Sequence, residues 1–306
     1  MTEKLDTATV SVVHEVARAV RMSACDVELL HYDYGPDVRE SECRAPHFHP
    51  LRDLSGAVVT GHRPHDHRWH KGLAMTASHL SGQNFWGGGS YVHGQGYVDL
   101  PNVGSLRHRG FPAFAEDGMP GFTEEVDWVT AAGEHWIAER RAVCVREVDV
   151  AAGSWVLEFG TELRNVRGAA LEFGSPTVFG RELAGYCGFF WRGPCSFTGG
   201  EVLASGGQRG PELMGRAADW LAFVGTHDGI DHRSTVAFLP DPSTVDESLR
   251  WFVRTEPIPV MNPSLAFWEP RELAAGDTLR LRYRVLIADT AWDADRIEHA
   301  KGAQQW

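Results

Sequence analysis

The chain has 306 residues, of which 43% are hydrophobic and 23% charged, and its formal net charge at pH 7 is -12. This composition is typical of a globular protein whose core is large enough to need no disulfides. Nucleic-acid backbones and anionic lipids require a basic face, and the basic residues here are scattered among acids. We therefore expect neither nucleic acid nor a membrane as a partner.

The cysteines and the first residues indicate a compartment. The chain has five cysteines, an odd number, and none of them shows C-x-x-C spacing, which is typical of reduced thiols. Residues 1–9 lack the basic and apolar regions of a signal peptide, and no apolar run reaches the roughly 18 residues of a spanning helix. The sequence therefore predicts a cytoplasmic protein.

Strands are predicted along the whole chain. The pattern alternates most clearly at 155–164 and 278–287, where apolar residues occupy every second position. Weaker strands are predicted at 10–15, 27–34, 141–150, 220–224, 235–239 and 251–254. Gly and Pro separate these segments, as in a sandwich or barrel. We expect residues 1–306 to form a single all-β domain, a large antiparallel β-sandwich, with a short C-terminal helix at 293–300. Asp293 would cap this helix, and Ile297 would face the core.

The densest group of chemically active side chains is the segment 63–71, which reads Arg-Pro-His-Asp-His-Arg-Trp-His-Lys. In an extended segment His65 and His67 would point to the same side, and a turn could add His70 to a shared metal ion. Imidazole also titrates near neutral pH and suits proton transfer without a metal. A polar loop whose histidines are only hydrogen-bond partners is the third interpretation. We favour the site without a metal.

Aromatic residues lie among the histidines that follow. Seven of the 15 histidines fall between residues 62 and 108, where Trp69, Phe85 and Trp86 are interleaved with them. The C–H face of a pyranose stacks on aromatic rings while its hydroxyls need hydrogen-bond partners, so the pattern favours a sugar pocket. Each tryptophan taken singly could equally be an ordinary core residue.

A second motif, Gly-Tyr-Cys-Gly-Phe-Phe-Trp-Arg-Gly-Pro, occupies residues 185–194. Its glycines allow close approach of the backbone, and Arg192 carries a fork of donors for a carboxylate, a phosphate or vicinal hydroxyls. An arginine that braces a loop is the alternative. Glu139 and Glu182 are candidate acids or bases, although a single glutamate is more often a solvated surface residue.

These motifs together resemble a known bacterial family. The segment 63–86, the motif at 185–194 and the strands at 251–254 and 279–287 are similar to the family labelled PmoA, or methane oxygenase. The resemblance extends over about residues 26–291. That label implies a membrane-bound monooxygenase subunit, and because the sequence has no spanning segment we treat the label as a misnomer.

The resemblance implies a fold and a set of site residues. The fold would be the galactose-mutarotase-like supersandwich, a large antiparallel β-sandwich with a sugar-binding face. Relatives are often encoded near genes of carbohydrate catabolism, which implies a carbohydrate role by association. The residues of the family pattern fall on Asp66, His67, His70, Lys71, Gly72, His79, His108 and Glu139.

We therefore expect a carbohydrate-active enzyme that performs acid–base chemistry on a small sugar or oxidised sugar, as an epimerase, lyase or hydrolase without a cofactor. The expected catalytic residues are His67, His70 and His108. The expected substrate-binding residues are His79, Trp86, Glu139, Tyr186, Trp191 and Arg192. One alternative is an enzyme that holds a divalent metal with His65, His67 and His70. The other is a non-catalytic sugar-binding or regulatory protein.

Overall fold

The computed structural model describes residues 8–116 and 118–303. Residues 1–7, which contributed to the expected lack of a signal peptide, lie outside the described part. Within the described ranges, no helix is both long and apolar enough to cross a bilayer.

Antiparallel strands dominate the described chain, and each predicted strand is present. The strands are β1 (Ser11–Glu15), β2 (Ala19–Ala24), β3 (Val27–Asp33), β4 (His47–Leu51), β5 (Leu73–Leu80), β6 (Gln83–Phe85), β7 (Ser90–Val92), β8 (Gly96–Val98), β9 (Ser105–Glu116), β10 (Met119–Val129), β11 (His135–Asp149), β12 (Ser154–Asn165), β13 (Leu171–Gly174), β14 (Cys187–Arg192), β15 (Glu201–Ala204), β16 (Leu221–Thr226), β17 (Arg233–Pro240), β18 (Arg250–Arg254), β19 (Val260–Ser264), β20 (Arg271–Leu273) and β21 (Thr278–Ala288). Short 3₁₀ helices lie at Glu40–Glu42, Cys195–Phe197, Ser205–Gly207 and Pro211–Leu213, and the α-helix α1 spans Ala294–Ala303.

The strands form two large sheets and one small hairpin. The 11-stranded sheet has the order β1-β2-β3-β4-β5-β14-β19-β18, with β6 and β13 also paired to β5 and β20 paired to β13. The 8-stranded sheet has the order β15-β16-β17-β21-β12-β11-β10-β9, and β7 pairs only with β8. The predicted all-β fold, a large antiparallel sandwich, is confirmed.

The main core lies between the two sheets. The two most clearly predicted strands, β12 and β21, are neighbours, with Trp155 opposite Ile287. Their alternation turns the apolar side chains inward, where the ring of Phe159 stacks on Phe189 of the other sheet at a centroid distance of 4.2 Å. Each fully buried side chain of this size contributes about 1.5–3 kcal/mol. The periodic pattern of the sequence therefore determines which face of each sheet meets the other.

The helix α1 covers part of the outer face of the 8-stranded sheet. Asp293 precedes it, and its Oδ1 accepts the backbone N–H of Arg296 at 2.9 Å, so the predicted N-cap is confirmed. Ile297 is fully buried against this face beside Trp220 and Leu286. The prediction that Ile297 faces apolar neighbours is confirmed as well.

The outer face of the 11-stranded sheet carries its own apolar cluster. In β14 the side chains of Phe189 and Trp191 point into the main core, and those of Phe190 and Arg192 point outward. Phe190 joins Trp86, Phe252, Val260 and Phe267 in this outer cluster. Because the cluster is covered by loops and not by a helix, it forms the floor of a cavity.

Candidate functional site

A cavity of about 300 Å³ opens on this outer aromatic cluster. That volume is at the lower end of the range for small-molecule sites. The cavity is lined by His67, Trp69, His70, Gly89, Tyr97, Arg181, Tyr186, Phe190, Phe252, Arg254, Ile258 and Val260. A wider depression of about 570 Å³ lies near Glu40 and Arg107, but no histidine lines it. The smaller cavity therefore has the better combination of aromatic and titratable walls.

The segment 63–70 is folded as two tight turns, and the extended segment assumed from the sequence is wrong. The backbone N–H of His67 donates to the carbonyl of Pro64 at 3.0 Å, and that of His70 donates to the carbonyl of His67 at 2.9 Å. These turns bring the imidazole centroids of His67 and His70 to 4.9 Å from each other, while His65 stays exposed.

Charged side chains anchor the base of this loop. The guanidinium of Arg63 donates to both carboxylate oxygens of Glu42, at 2.7 and 3.0 Å. The ammonium of buried Lys71 donates to the backbone carbonyls of Glu42 and Cys43, the latter at 2.8 Å. Because these bonds tie the loop to the turn at 40–43, they hold the two imidazoles in place.

Gly87 and Gly88, in the glycine run 87–89, make room for Trp69 of the loop 63–70. A Cβ atom on Gly87 or Gly88 would lie 2.7 Å from the Trp69 side chain, and both glycines have a positive φ. Only glycine meets both requirements without strain. Gly87 and Gly88 are therefore explained by the packing of Trp69.

His70 is a buried imidazole between aromatic rings. It is 5% exposed, and its ring centroid lies 5.1 Å from Trp86 and 5.3 Å from Phe190. Its Nδ1 has no hydrogen-bond partner among the described residues. Burial first, and then the positive charge of Arg192, lower the pKa of His70 well below its usual 6.5. The ring is therefore neutral at pH 7 and can accept a proton.

His67 is the more accessible member of the pair. Its Nδ1 lies 3.0 Å from Oδ2 of Asp66, and 38% of its side chain is exposed. This carboxylate is the acidic group next to the imidazole. The two rings therefore differ in environment, since His67 is partly exposed beside a carboxylate and His70 is buried between aromatic rings.

Phenol and guanidinium groups form the opposite wall. The hydroxyls of Tyr97 and Tyr186 lie 2.7 Å apart. Arg181 donates to the Tyr97 hydroxyl, and its guanidinium carbon lies 4.9 Å from the centre of the Tyr97 ring. Tyr186 was predicted as a binding residue, and the structure places it on the wall of the cavity.

Two guanidinium groups face the cavity without a carboxylate. Arg254 donates to the carbonyl of Leu183 at 3.1 Å and lies over the Phe252 ring at 5.3 Å. Burial and the charge of Arg181 lower the pKa of Arg254. Within residues 8–116 and 118–303 neither Arg181 nor Arg254 forms an ion pair, and no lining residue is Asp or Glu. The cavity is therefore locally positive in a protein of net charge -12.

Arg192 lies behind the cavity. It is 2% exposed, and its Nη1 has no hydrogen-bond partner in the described chain. Its charge acts on His70, but its side chain does not line the cavity. From the sequence, Arg192 was expected to bind the substrate directly. In this structure the guanidinium interacts with Cys195 and Asp66 and, through its charge, with His70.

The two tryptophans predicted to stack on a sugar have other positions. Trp86 is 6% exposed and packs under His70 and against Phe190, at a centroid distance of 4.4 Å from the latter. Trp191 is fully buried in the main core, and its indole N–H donates to the carbonyl of Val59 at 2.9 Å. Stacking on Trp191 is wrong, because strand alternation turns Trp191 inward and Phe190 outward.

Glu139 is far from solvent and does not line the cavity. It lies on the inner face of β11, where its carboxylate accepts two hydrogen bonds from Arg141, at 2.5 and 3.0 Å. Trp128 and Thr161 also donate to it, at 2.6 and 2.8 Å. All four of these hydrogen bonds to the Glu139 carboxylate come from other protein groups. The predicted substrate contact of Glu139 is therefore wrong.

His108 is also separated from the cavity. On β9 its Nδ1 lies 2.8 Å from Oε1 of Glu124, and its ring packs against Tyr34 and Phe111. Glu124 is fully buried and accepts a second bond from Tyr32. The prediction that His108 shares a pocket with His67 and His70 is wrong, since β9 is an edge strand of the other sheet.

His79 lies at the end of β5 and stabilises a turn. Its Nε2 accepts the backbone N–H of Gly82 at 3.1 Å, and its ring lies 4.2 Å from Phe179. Burial lowers its pKa. The structure does not place His79 on the wall of the cavity, so its predicted substrate contact is not supported by this geometry.

The histidines at 65, 67 and 70 do not form a metal-binding group. Among the described residues, the group of His, Cys, Asp or Glu whose ligand atoms approach within 4.8 Å is Asp53, His227 and His232. His65 is exposed on the first turn of the loop, which separates it from His70. The alternative prediction, in which His65, His67 and His70 hold one metal ion, is therefore wrong, because the loop does not bring these three side chains together.

Sequence reasoning missed most of the cavity wall. Arg254 ended a predicted strand, so a test of strand alternation could have found it, whereas Phe190 lay inside the motif at 185–194 on a strand that is buried on both faces. The sequence around Tyr97 and around Arg181 shows no pattern that would identify a binding residue. They reach the cavity from a short hairpin and from the loop before β14.

Three stacked histidines near β4 give a prediction on acid stability. The His62 ring lies 5.0 Å from His47 and 4.6 Å from His49. Burial lowers the pKa of His47 well below 6.5 and that of His49 to about 3. Because the folded pKa lies below the unfolded one, the unfolded chain takes up protons first. This stability is complete above about pH 6.5 and is lost as the pH falls towards 3.

We therefore expect the free energy of unfolding to fall between about pH 6.5 and 4, by at most about 1.4 kcal/mol per pH unit for each histidine. Urea unfolding at a series of pH values measures this slope. His49→Gln should flatten it, while His299→Gln on the exposed face of α1 should leave it unchanged. Equal slopes in all three proteins would contradict the assignment.

Comparisons with known proteins identify a family model and distant structures. A model described as a family of unknown function, DUF6807, matches residues 19–301. No curated protein matches the chain significantly. The chain is similar to an α-galactosidase from Lactobacillus brevis at 9% identity and a TM-score of 0.38, over 94% of this chain and 40% of that one. It is similar to a protein described as a kojibiose phosphorylase from human microbiome at 7% identity and a TM-score of 0.35, over 76% of this chain and 29% of that one. The chain thus spans less than half of either structure.

Proposed function

We propose that this chain, which belongs to the DUF6807 family of unknown function, binds a small anionic sugar in the cavity beside His67 and His70 and transfers protons on it. The observation that carries the proposal is the wall of that cavity. It combines aromatic rings, two guanidinium groups without carboxylate partners, and a neutral buried imidazole. A sugar role is also what the resemblance to the PmoA-labelled family implies.

The chemistry of the wall selects a class of ligand. Aromatic faces suit the C–H side of a pyranose, and paired guanidinium groups suit a carboxylate. A hexuronate offers both, because it differs from the hexose only in having a carboxylate at C6. The carboxylate would lie at Arg181 and Arg254, and the ring would lie towards His70.

The two histidines suit a reaction that begins with loss of a carbon-bound proton next to the carboxylate. The neutral imidazole of His70 would accept that proton, and the carboxylate held by the guanidinium groups would share the developing negative charge. His67 would return a proton, either to the opposite face of the same carbon in an epimerase or, in a lyase, to the oxygen on C4, where the C4–O bond breaks as the C4=C5 double bond forms. Among the described residues that line the cavity, none is a carboxylate that could serve in glycoside hydrolysis by a pair of acids.

The binding test uses matched pairs of sugars. We expect galacturonate and glucuronate to bind about 10- to 100-fold more tightly than galactose and glucose, since a charge-assisted hydrogen bond is worth about 1.5–3 kcal/mol. Isothermal titration calorimetry measures both. Arg254→Gln should remove most of this preference, and thermal unfolding checks that the variant is folded.

The matched control is Arg280→Gln, whose side chain is 64% exposed on the other sheet and should leave the preference intact. Equal affinity for the acid and the neutral sugar in each pair would refute the anionic ligand. Binding of a hexuronate without any turnover would instead indicate a non-catalytic sugar-binding protein.

A further inference from the structure

A second group of metal-ligating side chains lies where the two sheets meet. Asp53 follows β4 of the 11-stranded sheet, and His227 and His232 lie in the hairpin between β16 and β17 of the 8-stranded sheet. None of the three lines the sugar cavity. The proposed function makes no use of them.

The hairpin brings its two histidines together. The backbone N–H of His227 donates to the carbonyl of His232 at 3.0 Å, which closes the loop at its base. The two ring centroids consequently lie 5.2 Å apart, at an interplanar angle of 34°. Both rings remain partly accessible, so an ion could reach them from solvent.

The carboxylate of Asp53 is oriented towards these rings. Its Oδ1 accepts the N–H of Ser55 and of Ala57 at 3.0 Å each, and the hydroxyl of Ser55 at 2.7 Å. Its Oδ2 is left for His232 Nε2 at 2.8 Å and for the Ser234 hydroxyl at 2.6 Å. A carboxylate fixed in this way by outer hydrogen bonds is typical of metal ligands.

We infer that Asp53, His227 and His232 form a binding site for a divalent transition-metal ion that links the two sheets. The three ligand atoms lie within 4.8 Å of one another. Two imidazoles with one carboxylate are a ligand set that suits Zn²⁺ and its neighbours better than Ca²⁺ or Mg²⁺. A fourth position would go to water or to Ser234.

The local charge favours a cation at this point. Asp53 is fully buried, and its carboxylate supplies a negative charge at this point. Asp289 lies within electrostatic reach of Asp53 and His232, and Asp228 within that of His227. In the alternative explanation no ion binds, and hydrogen bonds from His232 and Ser234 to Asp53 alone hold the hairpin in place.

A bound ion and a hydrogen bond require different distances between Asp53 and His232. Tetrahedral ligands at 2.0–2.1 Å from Zn²⁺ lie about 3.3 Å apart. The 2.8 Å between Asp53 Oδ2 and His232 Nε2 is shorter, so the ion would push these atoms apart by a few tenths of an ångström. A hairpin loop can move by this amount. The ion would then replace the hydrogen bonds of the Ser234 hydroxyl.

The experiment uses the full chain after treatment with a chelator. Titration with ZnCl₂ followed by calorimetry should show one site per chain, and saturation should raise the unfolding temperature by a few degrees. His232→Ala should weaken Zn²⁺ binding by more than about 100-fold, since even an outer partner of a ligand is worth about 10- to 100-fold. Asp53→Asn is the second variant, and His227→Ala is used if buried Asp53 proves essential for folding.

The controls are His65→Ala and His70→Ala, which remove histidines of the other cluster and should leave the site intact. Absence of stoichiometric binding to the wild-type chain would overturn the inference. Unchanged binding in both His232→Ala and His227→Ala would overturn it too. Loss of binding in His70→Ala alone would show that the ion sits in the sugar cavity.

Discussion

We expect His70→Ala to slow proton transfer on a bound hexuronate by about 10²- to 10⁴-fold, the usual contribution of one general acid or base. The imidazole lines the cavity and is neutral, because burial and Arg192 lower its pKa. An anionic ligand would raise that pKa on binding, since a nearby negative charge favours the imidazolium. Exchange of carbon-bound hydrogen of galacturonate or glucuronate with deuterated solvent, followed by NMR, measures the transfer.

The control for this experiment is His65→Ala, because His65 is an exposed histidine of the same loop. Its exchange rate should equal that of the wild-type protein. Thermal unfolding must show that His70→Ala is folded, and calorimetry must show that it still binds the sugar. An unchanged exchange rate under those conditions would exclude His70 as the base.

The substitution Arg141→Met is expected to lower the free energy of unfolding by about 3 to 5 kcal/mol, which is typical of breaking a buried ion pair by removing one partner. Arg141 is 1% exposed and donates to the carboxylate of Glu139 and to the Tyr32 hydroxyl, the latter at 2.9 Å. Without it the Glu139 carboxylate would stay buried with only the neutral donors Trp128 and Thr161. Denaturant unfolding measures the loss.

Two further variants separate the buried charge from the loss of volume. Adding Glu139→Gln to Arg141→Met should recover part of the stability, because the amide removes the charge and still accepts a bond from Trp128. Arg140→Met, the neighbouring exposed position, should change stability by less than about 0.5 kcal/mol. If the double variant is less stable than Arg141→Met by a further several kcal/mol, the uncompensated charge is not the cause.

The buried network also explains why sequence reasoning misassigned Glu139. Polar residues on a strand are expected to face solvent, and Arg140 does so. One position away, alternation turns Glu139 and Arg141 into the core, where each satisfies the other. Nothing local distinguishes the two arginines of the pair Arg140–Arg141, because only the opposite sheet decides which face becomes the interior.

Local pattern was enough for eight of the 21 described strands and for the capped helix, and it located the histidine-rich segment 63–71 but not its turns. Alternation, an Asp before a helical turn and a dense run of histidines are properties of neighbouring residues, and they are visible before any contact forms. The central strand β14 shows the limit of such reasoning. Both of its faces are buried, so its sequence alone could not tell which of Phe190 and Trp191 points to the cavity.

Only the tertiary structure brought together groups that are distant in the chain. Tyr97, Arg181 and Arg254 come from a hairpin, a loop and a strand end, and they form one positive wall because β14 and β18 belong to the same sheet. Asp53 meets His227 and His232 across more than 170 residues. Contacts of this kind depend on how the sheets stack and where the loops close. The periodicity of a single segment predicts neither the stacking nor the loop closure.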